Sequence, residues 1–546
     1  RLFAADDIGV DDFQRYMAKL GPGTLRLACP GTNKLSAAGS GNINATAAWP
    51  VNGDSPPGMG AGFLVDEGKL VLGGPGQVVT VGGEAVIGAQ DRGLGSPTYT
   101  CSMDILGGQV IFSGYLSIGR NFKRTTGVDT YPTLNIYDGD VSAGYLTMAY
   151  DTIWKAHSTK AVLNLYGGTF TVADQFRLGH HKGDASNPPR ATVNVYAGVL
   201  NHPSTSQGMT FGWLNAGDPS PSCAGVLNVF GGLVNERWLL KMANNDSKSW
   251  ANLHGGILRA ENITHVSGSA GESHVFFNGG IYQPMGSNSA QRVLQGLTEA
   301  VVSTNGALFD TSYLAAGAIY TNAQVLTHDA ALGAVQDGGL SKLGNGMLAL
   351  AVSNAFTGPV TVQQGVLRLA HNAAIPDLVN VTGSGVLDAD GAVRDVPQLI
   401  GTGVCSNGTV RVTQRVNPGA ETNAPAGATL TFHSLRFAPG ATFDCASTTN
   451  GLPSGTNDLL AVCGDVTAEG NGYIDFGRTE ENPLSFPYSA VVMTYETCGT
   501  TFAGWRARGT GYPSGVVAMR VTRDESGPVK VVRVELVRGG TAILIR

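Results

Sequence analysis

The chain has 546 residues, 77 of them glycine, with 14% charged residues and a formal net charge of −6. So weak a charge, with Lys and Arg scattered rather than clustered, argues against nucleic acid or an anionic membrane as partner, and no apolar run reaches the roughly 18 residues a transmembrane helix needs. Helix formers are scarce beside Gly, Val, Thr, Ser and Asn, a composition that predicts many short strands joined by turns.

The sequence starts at Arg1 with neither Met nor a charged-then-apolar leader, which fits a processed or trimmed start and leaves export open. The acidic pairs Asp6-Asp7 and Asp11-Asp12 precede any repeat and read as turn or strand-capping residues. "KLGPGTLRLA" (residues 19–28) then shares seven of its ten positions with "KLGNGMLALA" (residues 342–351). Its second half, "FLVDEGKLVL" from Phe63, aligns with "VTVQQGVLRL" from Val360, so that Phe63, Val65, Gly68, Leu70 and Leu72 match Val360, Val362, Gly365, Leu367 and Leu369. Between the halves of the first copy lies an insert, residues 29–62. It holds Cys29, Trp49 and a Gly/Pro/Asn-rich run, and long loops on repeat scaffolds are where partner contacts gather. Cys29 and Trp49 therefore mark a candidate interaction loop, with an ordinary surface loop as the alternative.

A second phrase recurs between residues 100 and 260: "MDILGGQV", "LNIYDGDV", "LNLYGGTF", "VNVYAGVL", "LNVFGGLV" and "ANLHGGIL". Its period of about 30 residues is that of repeat architectures. Follow-up phrases such as "LSIG", "LTMA", "FRLG" and "MTFG" imply two or three short strands per unit. A unit of this size cannot bury its own apolar face, so neighbours must stack into a β-solenoid.

Strand alternation assigns the faces. Leu163 and Leu165 point inward, whereas Asn164 and Tyr166 point outward. Two outer columns follow. One is a polar ladder of Asp104, Asn135, Asn164, Asn194, Asn228 and Asn252; the other is an aromatic stripe of Tyr137, Tyr166, Tyr196 and Phe230, continued by His254. The stripe admits two readings: a surface that binds sugars or partners through flat rings, or stacked rings that stabilise successive coils. His180-His181 falls at an expected loop start, and neighbouring side chains on a strand face opposite ways.

Residues 338–370 read "GGLSKLGNGMLALAVSNAFTGPVTVQQGVLRLA", a Gly-x-Gly turn followed by a strand, a Thr-Gly-Pro turn and two further strands. This stretch resembles the autotransporter-associated β-strand repeat, also called the passenger-associated transport repeat. The lead-in "LTHDAALGAVQDGGL" and the segment beginning "LRFAPGATFDCASTTNGL" are similar to parts of the same bacterial surface proteins. The resemblance implies a right-handed parallel β-helix with a C-terminal β-rich capping domain, exported to the cell surface and structural or adhesive in role. It departs at the end, where no run of amphipathic strands long enough for an outer-membrane barrel follows "VRVELVRGGTAILIR".

The expected organisation is therefore residues 1–62 as a first repeat strand with its insert, 63–300 and 301–430 as β-helix, and 431–546 as the C-terminal domain. Seven cysteines show no CxxC and no zinc spacing; Cys445 and Cys463 pair in an oxidising compartment or remain free buried thiols. Neither "DGD" at Asp138 nor "DADG" at Asp388 has calcium-loop spacing, and the similarly placed ladder residues do not supply the contrasting environments of an acid and a base. The expectation is a non-catalytic scaffold or adhesin without metal or cofactor. Two alternatives stand beside it: a subunit that assembles into a filament or layer through unpaired β-helix ends, and a β-helix that binds or cleaves surface glycans.

Overall fold

The computed structural model describes residues 2–3, 17–19, 23–27, 31–35, 63–65, 68–90, 98–121, 129–151, 159–181, 189–214, 223–244, 247–286, 294–370, 373, 375, 377–419, 427–447, 457–478, 488–499, 502, 504–510, 517–527 and 529–538. The chain forms two compact units, Arg1–Gly286 with Val293–Val301, and Ser287–Arg292 with Val302–Arg546.

The first unit is a parallel β-helix whose coils add one strand to each of three stacks. In the first stack Thr98–Ile105, Asp129–Ile136, Lys160–Leu165, Arg190–Val195, Ala224–Val229, Lys248–Leu253 and Glu272–Phe277 pair in parallel without slippage. A second stack runs through Thr169–Val172, Val199–His202, Leu233–Glu236 and Ile257–Ala260. The third contains Phe176–His181, Met209–Leu214, Leu239–Met242 and Asn262–His265. His180-His181 thus ends a strand rather than opening a loop, because Phe176–His181 pairs along its length with Asp140–Asp151.

Period-two alternation makes this core. Lys160–Leu165 buries every second residue, and Leu134, Leu163, Val193, Leu227, Ala251 and Val275 are register partners that are all fully buried. Equal register keeps like beside like, so one aliphatic column serves coil after coil. The corner after the first stack is fixed by glycine. Gly198 has φ +76°, and a Cβ there would lie 2.4 Å from the carbonyl oxygen of Gly168 in the preceding coil. A side chain is excluded twice, by backbone conformation and by the stacked turn beneath it. At the third-stack corner the left-handed position is glycine in one coil (Gly179, φ 78°) and alanine in another (Ala149, φ 51°), which accounts for the "FRLG" and "LTMA" endings.

The second unit is also built by parallel pairing. Ala307–Asp310, Leu340–Leu343, Val360–Leu369, Leu378–Asp388, Val393–Gly401, Val404–Pro418 and Thr429–Phe437 pair in parallel one after another, with register shifts after Val362, Val396 and Cys405. Parallel stacking passes straight through residue 431, because Thr442–Ser447, Tyr473–Arg478 and Arg506–Thr510 still pair in parallel. Parallel pairing therefore continues into the segment 431–546. Tyr488–Tyr495 runs parallel to Leu459–Val462 but antiparallel to Lys530–Arg538, which pairs antiparallel with Val517–Asp524. The start of the first unit also reverses direction, with Leu2–Phe3 antiparallel to Met17–Lys19.

The two copies of the duplicated phrase occupy the same register. Lys19 pairs with Val65 and Thr24 with Lys69, just as Lys342 pairs with Val362 and Met347 with Val366. The insert in the first copy is not all loop, since Gly31–Leu35 is a strand that pairs with Gln77–Val81.

Candidate functional site

The six polar residues of the repeat face form one hydrogen-bonded chain. Asn135 donates its amide N–H to Asp104 Oδ1 at 2.8 Å. Asn164 donates to Asn135, Asn194 to Asn164, Asn228 to Asn194 and Asn252 to Asn228, at 2.8 to 2.9 Å. Every donor points toward the preceding coil, so the aligned amide dipoles converge on Asp104, where they favour negative charge. Lys69 closes that end with a 2.7 Å ion pair to Asp104 Oδ2. The bond to Asp104 is the main reason the Lys69 ammonium is held above its usual range, despite the opposing effect of burial.

The aromatic residues lie beside this chain as a pile of parallel rings. Tyr137, Tyr166, Tyr196, Phe230 and His254 stack with centroids 5.0 to 5.1 Å apart and planes within 12° of one another. The pile ends on Phe276, tilted by 52°. Between 40% and 44% of Tyr137, Tyr166, Tyr196 and Phe230 remains exposed. What they expose is edge, because each inner ring has a neighbour on both faces. A sugar stacks on a ring face, and both faces of Tyr166, Tyr196 and Phe230 are taken by neighbouring rings, which join one coil to the next. Cys29 and Trp49, the candidates on the insert, lie outside the described residues, as do Asp6-Asp7 and Asp11-Asp12.

No protein-family model matches the chain, and no curated protein matches it.

The remaining candidates fall into structural roles. Asp388 accepts from the Arg368 guanidinium at 2.9 Å, from Asn407 and from the Asp390 amide. Asp138 accepts the N–H of Gly139, at the turn. Among the described residues no group of three or more His, Cys, Asp or Glu side chains is placed to hold a metal, and no helix is long and apolar enough to cross a membrane. Cys445 and Cys463 are both free thiols. Cys445 is buried and donates to the carbonyl of Asp458 at 3.2 Å, and burial pushes its thiol well up.

The burial of several ionisable groups escaped the reading of the sequence. Glu84 accepts from Ser117 Oγ at 2.8 Å and from Arg120. Lys342 has no exposed surface, and His202 and Glu236 face each other inside the core. A signal existed for the last pair: "VLNH" and "LVNE" place a charged or titratable residue at the inward phase of an alternating strand, where the neighbouring coils carry aliphatics.

Proposed function

We propose that this chain belongs to an exported, non-catalytic β-helical surface protein and serves it as a structural scaffold. The observation that carries the reading is that the most regular side-chain columns of the repeat face are bonded to one another: amides by hydrogen bonds, rings by their faces. Such columns add rigidity and length coil by coil, as ladders do in repetitive β structures. The likeness of residues 338–370 to autotransporter-associated repeats supports placement outside the cell. Antibodies raised against the chain should label intact cells that produce it, and external protease should remove that labelling. Antigen detectable only after lysis would overturn the proposal.

A further inference from the structure

His202 and Glu236 sit where the core is otherwise apolar. Val81, Phe112, Ala143 and Val172 are successive register partners in the inward column of the second stack. His202 and Glu236 continue its inward phase on Val199–His202 and Leu233–Glu236, paired in register and without exposed surface. Imidazole Nδ1 is 2.5 Å from Glu236 Oε2, and Nε2 meets the backbone carbonyl oxygen of Asp174. The carboxylate also accepts the Met209 N–H at 3.1 Å and the Trp238 N–H at 2.9 Å. Asp174, His202 with Met209, and Glu236 with Trp238 belong to three successive coils, so one pair of side chains ties all three.

The bonds fix a proton count. Both ring nitrogens face acceptors, so either the imidazole carries two protons, or it carries one and the carboxyl carries the other. Each arrangement holds one proton more than a neutral imidazole with a carboxylate. Withdrawing it leaves a buried carboxylate against a ring lone pair, or leaves the Asp174 carbonyl without its donor, and both are unfavourable in a low-dielectric core.

We propose that His202 and Glu236 form a proton-dependent latch in the core of the first unit, which ties three successive coils and loosens when its shared proton is withdrawn. The surroundings agree. Burial opposes the charged imidazole, but the bonds to Glu236 and Asp174 outweigh it and hold His202 above its usual range. Burial also raises Glu236, against the pull of His202. Both shifts act in one direction: the stabilisation is full below the ordinary values and is lost as pH climbs through the raised ones. The other charged groups near the pair are the Asp174 carboxylate, at the corner before Phe176–His181, and Lys241 on Leu239–Met242. The Lys241 ammonium rests 4.3 Å from the centroid of the Trp238 ring. Phe176 meets the imidazole edge-on, and Ala260 brings no charge.

Hydrogen exchange on the full chain between pH 6 and pH 9, corrected for intrinsic chemistry, tests the latch. Protection of the Met209 and Trp238 amides should fall by about tenfold per pH unit once His202 titrates, the slope of one linked proton, while the amides of Lys160–Leu165 keep theirs. The H202V/E236Q double substitution, which cannot hold the proton, should remove that slope. Wild-type protection that stays level across the range would overturn the proposal, as would an undiminished slope in the double variant.

Discussion

Lys342 shows what a single repeated letter does. Its side chain is fully buried, and Nζ donates to the carbonyl oxygens of Leu343 at 2.9 Å, Gly344 at 2.8 Å and Gln364 at 2.9 Å. Three donors meet three acceptors. The first acceptor ends the lysine's own strand, the second opens the Gly-x-Gly turn and the third lies on the following strand Val360–Leu369, so the lysine staples its own coil to the next. The sequence displayed Lys19 and Lys342 as a shared letter, but Gln364 enters the bond only through the register of the stack. Burial pushes the Lys342 ammonium down to about 8, against the attraction of Asp310. An unfolded lysine keeps its proton to about 10.4, so between these values the unfolded chain binds more protons and stability rises with pH. Denaturant titrations of wild type and K342M should differ by about 2 kcal/mol at pH 7, for the carbonyls left without donors. That difference should widen in favour of wild type, by up to about 1.4 kcal/mol per unit, between pH 8 and pH 10. A difference independent of pH would mean the lysine keeps its charge throughout.

At the scale of the coil, the polar ladder was legible because two periodicities determine it. Alternation by two chooses the outward face, and a near-constant coil length returns Asn135, Asn164 and Asn194 to one register. The inward phase of Val199–His202 and Leu233–Glu236 was equally available, yet a histidine and a glutamate there acquire meaning only from each other across adjacent coils and from the backbone of a third. Position within the ladder sets the cost of breaking it. Asn164 donates to Asn135 and accepts from Asn194, whereas Asn252, at the far end, donates to Asn228. Replacing Asn164 by Leu removes two amide bonds and leaves an Asn on each side without its partner, for about 2 kcal/mol; the same change at Asn252 removes one, for about 1 kcal/mol. Equal midpoint shifts for the two variants in a denaturant titration would show that the amides act independently of the ladder.

For the whole molecule the deciding feature is strand direction, which composition does not encode. Residues 431–546 suggested one closing domain, because Gly-rich alternation looks alike in parallel and antiparallel strands. The structure carries parallel pairing on to Arg506–Thr510, while Lys530–Arg538 lies antiparallel to both Tyr488–Tyr495 and Val517–Asp524. A parallel strand at the end of a stack offers a row of unpaired N–H and C=O groups to any other chain. Lys530–Arg538 covers such an edge by lying antiparallel on Tyr488–Tyr495, and it buries Val532, Val534 and Leu536 in doing so. Removing residues 479–546 should therefore uncover Leu459–Val462 and Tyr473–Arg478 together. Sedimentation velocity across a concentration series should find the full chain monomeric and the shortened chain associating as concentration rises. A shortened chain that stays monomeric would show that the antiparallel strands are an appendage rather than a cap, and a full chain that polymerises would restore the filament reading.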